Sequence, residues 1–189
     1  DLKKDPIQEI EKSPNLTKKN LGGIGEFNYI SNARNEYLYL EKEIDISNLL
    51  NARDLINAEF FTRSSERISK VSLNDFMISS ISRAIRSVPE INVTINKGVL
   101  KKHKEANISF SIFLSDKVIN PVINNASSKS ITDIAQETNR LITKAREGKT
   151  EIKDEANPTF SLCNLAIAGI DSFISNPIPP TGSSVSIGS

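Results

Sequence analysis

The chain has 189 residues, of which 38% are hydrophobic and eight are Phe, enough for one domain with a sizeable core. Lys and Arg number 24 against 23 Asp and Glu, a net charge of +1 that lacks the basic excess of a general nucleic-acid surface. No apolar run approaches ~18 residues, so no segment reads as a membrane span; the single cysteine excludes an internal disulfide and fits a reducing compartment.

Residues 1 to about 35 read as a polar arm or linker. Lys3-Lys4-Asp5-Pro6 and Lys12-Ser13-Pro14-Asn15 carry breakers, and Ile7 and Ile10 support one weak helical turn. Gly22-Gly23-Ile24-Gly25 is not a phosphate loop. It lacks a third glycine of the right spacing, a preceding strand and a following Lys-Ser/Thr.

Tyr37 to Ile46 reads as a strand with partial alternation. Ser47 is placed to cap a helix whose apolar stripe is Leu49, Leu50, Ile56 and Phe60, and Arg63 to Lys70 reads as a charged loop. Ser72 opens a strong helix, with Asp75 as the carboxylate of a capping box and Pro89 as its stop. Its expected core stripe is Leu73, Phe76, Met77, Ser80, Ile81, Ala84, Ile85 and Val88.

Lys101-Lys102-His103-Lys104 is a basic knot, read as a solvated strand connection, with contact to an anionic ligand as the alternative. Asn107 to Leu114 is apolar enough for a central strand. Val118 to Ile123 is a second, interrupted at Asn120-Pro121. Ser130 and Asp133 repeat the capping-box pattern before a helix that buries Ile131, Ile134, Ala135, Thr138, Leu141, Ile142 and Ala145, and Gly148 ends it. A charged loop, Lys149 to Asn157, leads to the stretch Pro158 to Ile170. That stretch starts as an alternating strand and becomes almost wholly apolar. A Pro-rich turn and a last strand, Ser183 to Ile187, follow. Strands and helices interleave without strict βαβ repeats, which predicts an α/β two-layer sandwich: a mixed sheet with helices packed on one side.

No catalytic constellation is complete. The only histidine is His103, so no zinc site is built from histidine pairs, and His103 sits among lysines, which disfavours a dyad with Cys163. Within Pro158 to Ile170, Cys163 and Asn164 leave two readings open. Cys163 is a small buried hydrophobe of a core strand, or the strand delivers Cys163 and Asn164 as a donor pair into a site.

Several motifs then fall in one order. They are Val71-Ser72-Leu73-Asn74-Asp75-Phe76, Val88-Pro89-Glu90-Ile91-Asn92, Val118 to Ala126, Lys144-Ala145-Arg146-Glu147-Gly148-Lys149, Thr159 to Leu165 with Gly169-Ile170, and Pro179-Pro180 with Val185 to Gly188. Together they resemble the catalytic domain of dihydrolipoamide acyltransferases, core subunits of 2-oxoacid dehydrogenase complexes, and most closely the acetyl-transferring pyruvate dehydrogenase branch. The resemblance covers Tyr37 to Ser189. It implies a fold like chloramphenicol acetyltransferase over residues 36–189, lacking its C-terminal end, and a homotrimer or larger core with sites between subunits. It also implies transfer of an acetyl group from a dihydrolipoyl thioester to coenzyme A as substrate. The lipoyl group would be presented by another domain or chain, with other dehydrogenase-complex subunits as partners, and no metal, nucleic acid or membrane is involved. The compartment implied is the cytoplasm, or the mitochondrial matrix if the source is eukaryotic.

In such enzymes a histidine of a D-H-R-x-x-D-G motif is the general base, and a serine of a T-I-S-N strand donates to the oxyanion. Here the oxyanion position is Cys163. Asn164, Pro121 and Asn125 are the substrate-binding candidates. Four departures are visible. The histidine motif is absent through Ser189, and His103 matches a different family histidine. Cys163 replaces the serine. Asn124 replaces an arginine. The Arg-rich opening helix is not recognisable in Asn20 to Arg34. These departures set an active acyltransferase domain against an inactive, scaffold-like relative that keeps the fold.

Overall fold

The structure is a computed structural model that describes residues 15–20, 26–31, 38–63 and 69–189. The turn expected at Ile7 and Ile10, the Gly22 to Gly25 run, the Phe60 side chain and most of the charged loop after Arg63 lie outside the described residues. The chain divides into two compact units, 1–45 and 46–189.

The first unit holds three antiparallel strands in the order β1 (Asn15–Asn20), β2 (Glu26–Ser31) and β3 (Tyr39–Glu41). Asn15 pairs with Ser31, Asn20 with Glu26, and Tyr29 with Leu40. Strands therefore stand where the sequence predicts a polar arm. The Lys and Asn residues of β1 mask any alternation, whereas Phe27, Tyr29 and Ile30 are strand formers. β3 pairs into this sheet and so belongs to the first unit. The strand expected over Tyr37 to Ile46 contracts to β3, and Ile44 beyond it is exposed.

The second unit begins with α1 (Ser47–Arg63), whose first turn is closed by the Ile46 carbonyl accepting from the Leu50 amide at 2.9 Å. Ser47 is thus the first helical residue, not the residue before it. Leu49, Leu50 and Ile56 are half-buried. Asn57 exchanges two hydrogen bonds with the Val71 backbone, at 2.8 and 3.0 Å, tying α1 to the entry of the next helix.

Helices α2 (Leu73–Ser87) and α3 (Ile131–Arg146) both start with the capping boxes read from the sequence, Ser72 with Asp75 and Ser130 with Asp133. The α3 stripe is as expected, with Ile134, Ala135, Thr138, Leu141 and Ala145 buried and Ile131 and Ile142 half-buried. The α2 stripe is displaced. Its buried residues are Asp75, Ile78, Ile81, Ser82 and Ile85, whereas Ser80, Ala84 and Val88 are exposed. The cause is polar. The second carboxylate oxygen of Asp75 accepts from the Thr138 hydroxyl of α3 at 2.6 Å, which turns the Asp75 face inward. A face carrying Asp75 and Ser82 scores as less apolar than its neighbour, although it is the one that packs.

Strands β4 (Val93–Asn96) and β5 (Val99–Lys102) form a hairpin. Lys97 and Gly98 take φ of 49° and 77°, the pair of positive values a two-residue primed turn requires. Lys101 and Lys102 therefore lie within β5, and the basic knot is a strand end rather than a connection. The expected Asn107 to Leu114 strand is split into β6 (Ile108–Phe110) and β7 (Ile112–Phe113) at Ser111. The partner segment is split at the same level, into β8 (Val118–Ile119) and β9 (Val122–Ile123), by Asn120-Pro121. Strand β10 (Phe160–Asn164) ends before the apolar run does. Ala166–Ala168 form a 3-10 turn, and Gly169 at φ 71° closes it. The last strand is β11 (Ser184–Ile187).

The main sheet has the order β11-β10-β6-β9. β10 runs parallel to both β11 and β6, and β9 is antiparallel to β6, so the sheet is mixed as predicted. Ile78, Ile81 and Ile85 of α2 and Ile134 and Leu141 of α3 pack on Ile108, Phe110, Phe160 and Leu162. Each such side chain contributes about 1.5–3 kcal/mol on burial. Successive strand residues point to opposite faces. The other face of β6, β10 and β11 is therefore made of Ser109 and Ser111, Ser161 and Cys163, and Ser184 and Ser186.

At the far end of α3, the buried Asp154 accepts from the Glu151 amide at 2.9 Å and from Lys144 Nζ at 2.9 Å. The Glu151 backbone N–H first, then Lys144, hold its carboxyl below the usual carboxylate range. A carboxylate with a lowered folded value adds stability above its unfolded value, and this is lost as pH falls through the folded one. Asp154→Asn is expected to cost about 1.5–3 kcal/mol at pH 7. In urea melts the gap to wild type should close as pH drops below about 4; a gap independent of pH would refute the assignment. Asp75→Ala removes a cap and a buried charged acceptor together, for an expected loss of about 2–4 kcal/mol. Thr138→Val added to Asp75→Ala should then cost little more. Additive losses in that double-mutant cycle would mean the two residues are not coupled.

Candidate functional site

β10 places the site. Phe160 and Leu162 point to the helices, so Ser161 and Cys163 point away from them. Asn164 returns to the helix side. Its Nδ2 donates to Asn74 Oδ1 on α2 at 2.7 Å, and its Oδ1 accepts from the Ala166 amide at 3.0 Å. Cys163 is half-buried and Asn164 faces the opposite way, so Cys163 is not core volume between sheet and helices.

The register sets the neighbours of Cys163. On one side it pairs with Ser186 of β11, whose hydroxyl lies 2.7 Å from that of Ser175. On the other side Leu162 pairs with Phe110, so Ser111 falls level with Cys163, and the Ser111 amide donates to the Leu162 carbonyl at 3.1 Å. The Ser111 hydroxyl lies on the thiol's side of the sheet and favours its charged form. It also donates to Asn120 Oδ1 at 2.9 Å, and the Asn120 amide donates to Glu155 Oε2 at 3.1 Å. A polar row thus crosses the carboxyl ends of the parallel strands: Ser186, Cys163, Ser111, Asn120.

Burial pushes the Cys163 thiol above its ordinary value, and the Ser111 hydroxyl works against that shift. The thiol is therefore neutral at physiological pH. Since the thiolate is the nucleophilic form, this cysteine is suited to donating a proton in a hydrogen bond rather than to attack. Neutral donors gathered at a strand end are what a developing oxyanion requires.

The remaining candidates are dispersed. Pro121 is buried, and its carbonyl accepts from the Phe110 amide at 3.0 Å. It makes the break that presents Asn120. Asn125 adopts a left-handed conformation, φ 46° and ψ 48°, and its amide donates to Asn107 Oδ1. Ile123 is level with Ile108 and Phe160, so Asn125 lies beyond the opposite end of β10, about 15 Å along the sheet from Cys163. The structure does not bring the two together. His103 lies at that opposite end as well. Its Nε2 is 2.8 Å from Thr94 Oγ1, and burial, then Lys101, hold its imidazole below the ordinary value. With Asn107, Thr159 and Pro180 it lines a cleft of about 460 Å³ at the start of β6 and β10, so no Cys163–His103 dyad is assembled. Sequence reasoning missed Ser111. The available signal was a lone hydroxyl interrupting an apolar strand at the level of the Asn120-Pro121 break. Among the described residues, no cluster of three or more His, Cys, Asp or Glu could hold a metal ion, and no helix is long and apolar enough to cross a membrane.

A mixed sheet with helices on one face and a donor row on the other defines an α/β sandwich of the kind found in core acyltransferases. The family model described as 2-oxoacid dehydrogenases acyltransferase (catalytic domain) matches residues 30–188, and the chain belongs to this family. It is similar to the dihydrolipoyllysine-residue acetyltransferase component of the pyruvate dehydrogenase complex of Rickettsia bellii, at 30% identity over 81% of this chain and 36% of that protein. Among solved structures it resembles a probable dihydrolipoamide acetyltransferase from Listeria monocytogenes (27% identity, TM-score 0.70, covering 77% of this chain and 61% of that one). It also shares its fold with the cubic core of a pyruvate dehydrogenase multienzyme complex (21% identity, TM-score 0.68, covering 76% and 58%). The chain spans about a third of the length of the curated relatives it matches.

Placement on the half-buried outer face has a consequence for stability. Cys163→Ser should leave stability within about 0.5 kcal/mol, because the new hydroxyl has Ser111 beside it. Asn164→Ala, which cuts the tie to α2, should cost about 1–2 kcal/mol. Thermal melts showing the reverse order would mean that Cys163, not Asn164, faces the core.

Proposed function

We propose that this domain transfers an acetyl group from a dihydrolipoyl thioester to coenzyme A within a pyruvate dehydrogenase complex, with Cys163 at the oxyanion-donor position. The observation that carries the reading is the place of Cys163: a neutral thiol, half-buried at the end of β10, on the sheet face away from the helices. Family membership and the naming of its relatives as acetyltransferase components support the substrates.

In this reading the coenzyme A thiol loses its proton to a base and attacks the thioester carbonyl. The carbonyl oxygen becomes an oxyanion, which the Cys163 S–H meets with a hydrogen bond. Collapse of the tetrahedral species expels the dihydrolipoyl thiolate, which takes up the proton. The only histidine of the 189 residues, His103, is engaged with Thr94 at the other end of the sheet, so it is not placed to act as that base. Pro121 and Asn164 act by position: one presents Asn120, and the other anchors the turn that follows Cys163. The lipoyl group comes from another domain or chain, and the domain works as a trimer or larger core, as the likeness to a cubic core supports.

The test is acetyl transfer from acetyl-dihydrolipoamide to coenzyme A by the whole gene product. Cys163→Ser, which installs a stronger donor, should raise kcat by up to about 10-fold. No transfer above background by the whole product would instead identify an inactive relative.

A further inference from the structure

A thiol is a weak hydrogen-bond donor, and an oxyanion position furnished by a thiol alone is under-equipped. The structure places a hydroxyl beside it. Ser111 directly follows β6, and its amide donates to the Leu162 carbonyl, so it is level with Cys163, one strand spacing of about 4.8 Å away. It is half-buried, as Cys163 is, and so is open to the same space. Neither Ser109 nor Ser161, its neighbours on this face, has that access. Both are buried, and the Ser161 hydroxyl is taken up by Thr181 at 2.7 Å while that of Ser109 reaches the Phe160 carbonyl.

We propose that Ser111 is the principal hydroxyl donor to the oxyanion in this chain, with the Cys163 thiol as the secondary one. This rests on the acyl-transfer reading above and adds a catalytic residue to the same site.

Asn120 makes the assignment workable. In the structure the single Ser111 proton is directed to Asn120 Oδ1. An amide carries an acceptor and a donor on the same carbon, and rotating its plane exchanges them. With Nδ2 turned to Ser111 Oγ, the serine keeps a partner and its proton is released toward the substrate oxygen. Hydrogen bonds in such a chain polarise one another, so a serine that accepts from Asn120 is a better donor than an isolated one. The Asn120 backbone is held by Glu155, and Pro121 fixes the chain just after it, so the amide can turn without the strand moving.

The test uses the whole gene product and acetyl-dihydrolipoamide. Ser111→Ala is expected to lower kcat by about 10²-fold with KM little changed, a larger loss than Cys163→Ala produces. Cys163→Ser added to Ser111→Ala should restore most of the loss, because a hydroxyl on either strand can reach the oxyanion. Asn120→Asp, which can only accept, should hold the Ser111 proton and lower kcat in the same direction. As a readout outside turnover, Ser111→Ala should move the pH profile of Cys163 alkylation by iodoacetamide upward, since the thiolate loses the hydroxyl that favours it. If Ser111→Ala turns over within about 3-fold of wild type, or if Cys163→Ser fails to rescue it, the proposal is overturned while the acyl-transfer reading stands. A wild-type product with no acyl transfer removes both.

Discussion

The second unit depends on one constraint, the register of β10 against β6. Phe160, Ser161 and Leu162 stand opposite Ile108, Ser109 and Phe110. In a pleated strand the side chains alternate strictly, so a slip of one residue would send the serines into the helix-facing core and the large apolar groups to the other face. Unpartnered hydroxyls among Ile78, Ile134 and Leu141 would then cost about 1–3 kcal/mol each. The apolar face therefore fixes the register, and the register fixes which polar groups meet at the strand ends. Cys163 and Ser111 are adjacent because Leu162 and Phe110 are buried.

The same dependence reaches outward from the helices. Asp75 closes the cap of α2 with one oxygen and holds Thr138 of α3 with the other, so the two helices are set against each other by a single carboxylate. At the end of α3, Lys144 binds Asp154 and Glu151, which fixes the short turn containing Glu155. Glu155 in turn holds the Asn120 amide beside Ser111. A chain of charged and polar contacts thus runs from the helix layer to the donor row on the opposite face of the sheet.

Local patterns were the legible part of the sequence. Ser72 with Asp75 and Ser130 with Asp133 are four-residue signals and needed no tertiary context. The α3 stripe was legible because its inward residues are almost all apolar. The α2 stripe was not, because Asp75 is buried with a partner on another helix, which no local period reveals, and Ser82 turns its hydroxyl back to the Ser79 carbonyl of its own helix. The sheet of the first unit was hidden by Lys and Asn in β1. For the site, alternation along β10 separated Cys163 from Asn164, and family motifs supplied the role proposed for Cys163. Ser111 stayed unseen because its meaning comes from a neighbour more than fifty positions away. Asn125 belongs to the same motif as Pro121, and the chain turns back there and carries it toward the other end of the sheet.

That separation also bears on the order in which the molecule comes together. The helix caps span four residues and the β4–β5 hairpin two turn positions, so these form with little loop closure. The contacts that bring β10 beside β6 join residues 52 apart, as in the bond from the Asn107 amide to Thr159 Oγ1. Pairings of that span carry a larger entropic cost and slow folding. By this measure the caps and hairpin are the early-forming parts, and the pairing that sets Cys163 beside Ser111 is a late one. A collapsed chain with α2, α3 and the hairpin in place would carry the secondary structure of the native protein while Ser111 and Cys163 had not yet met.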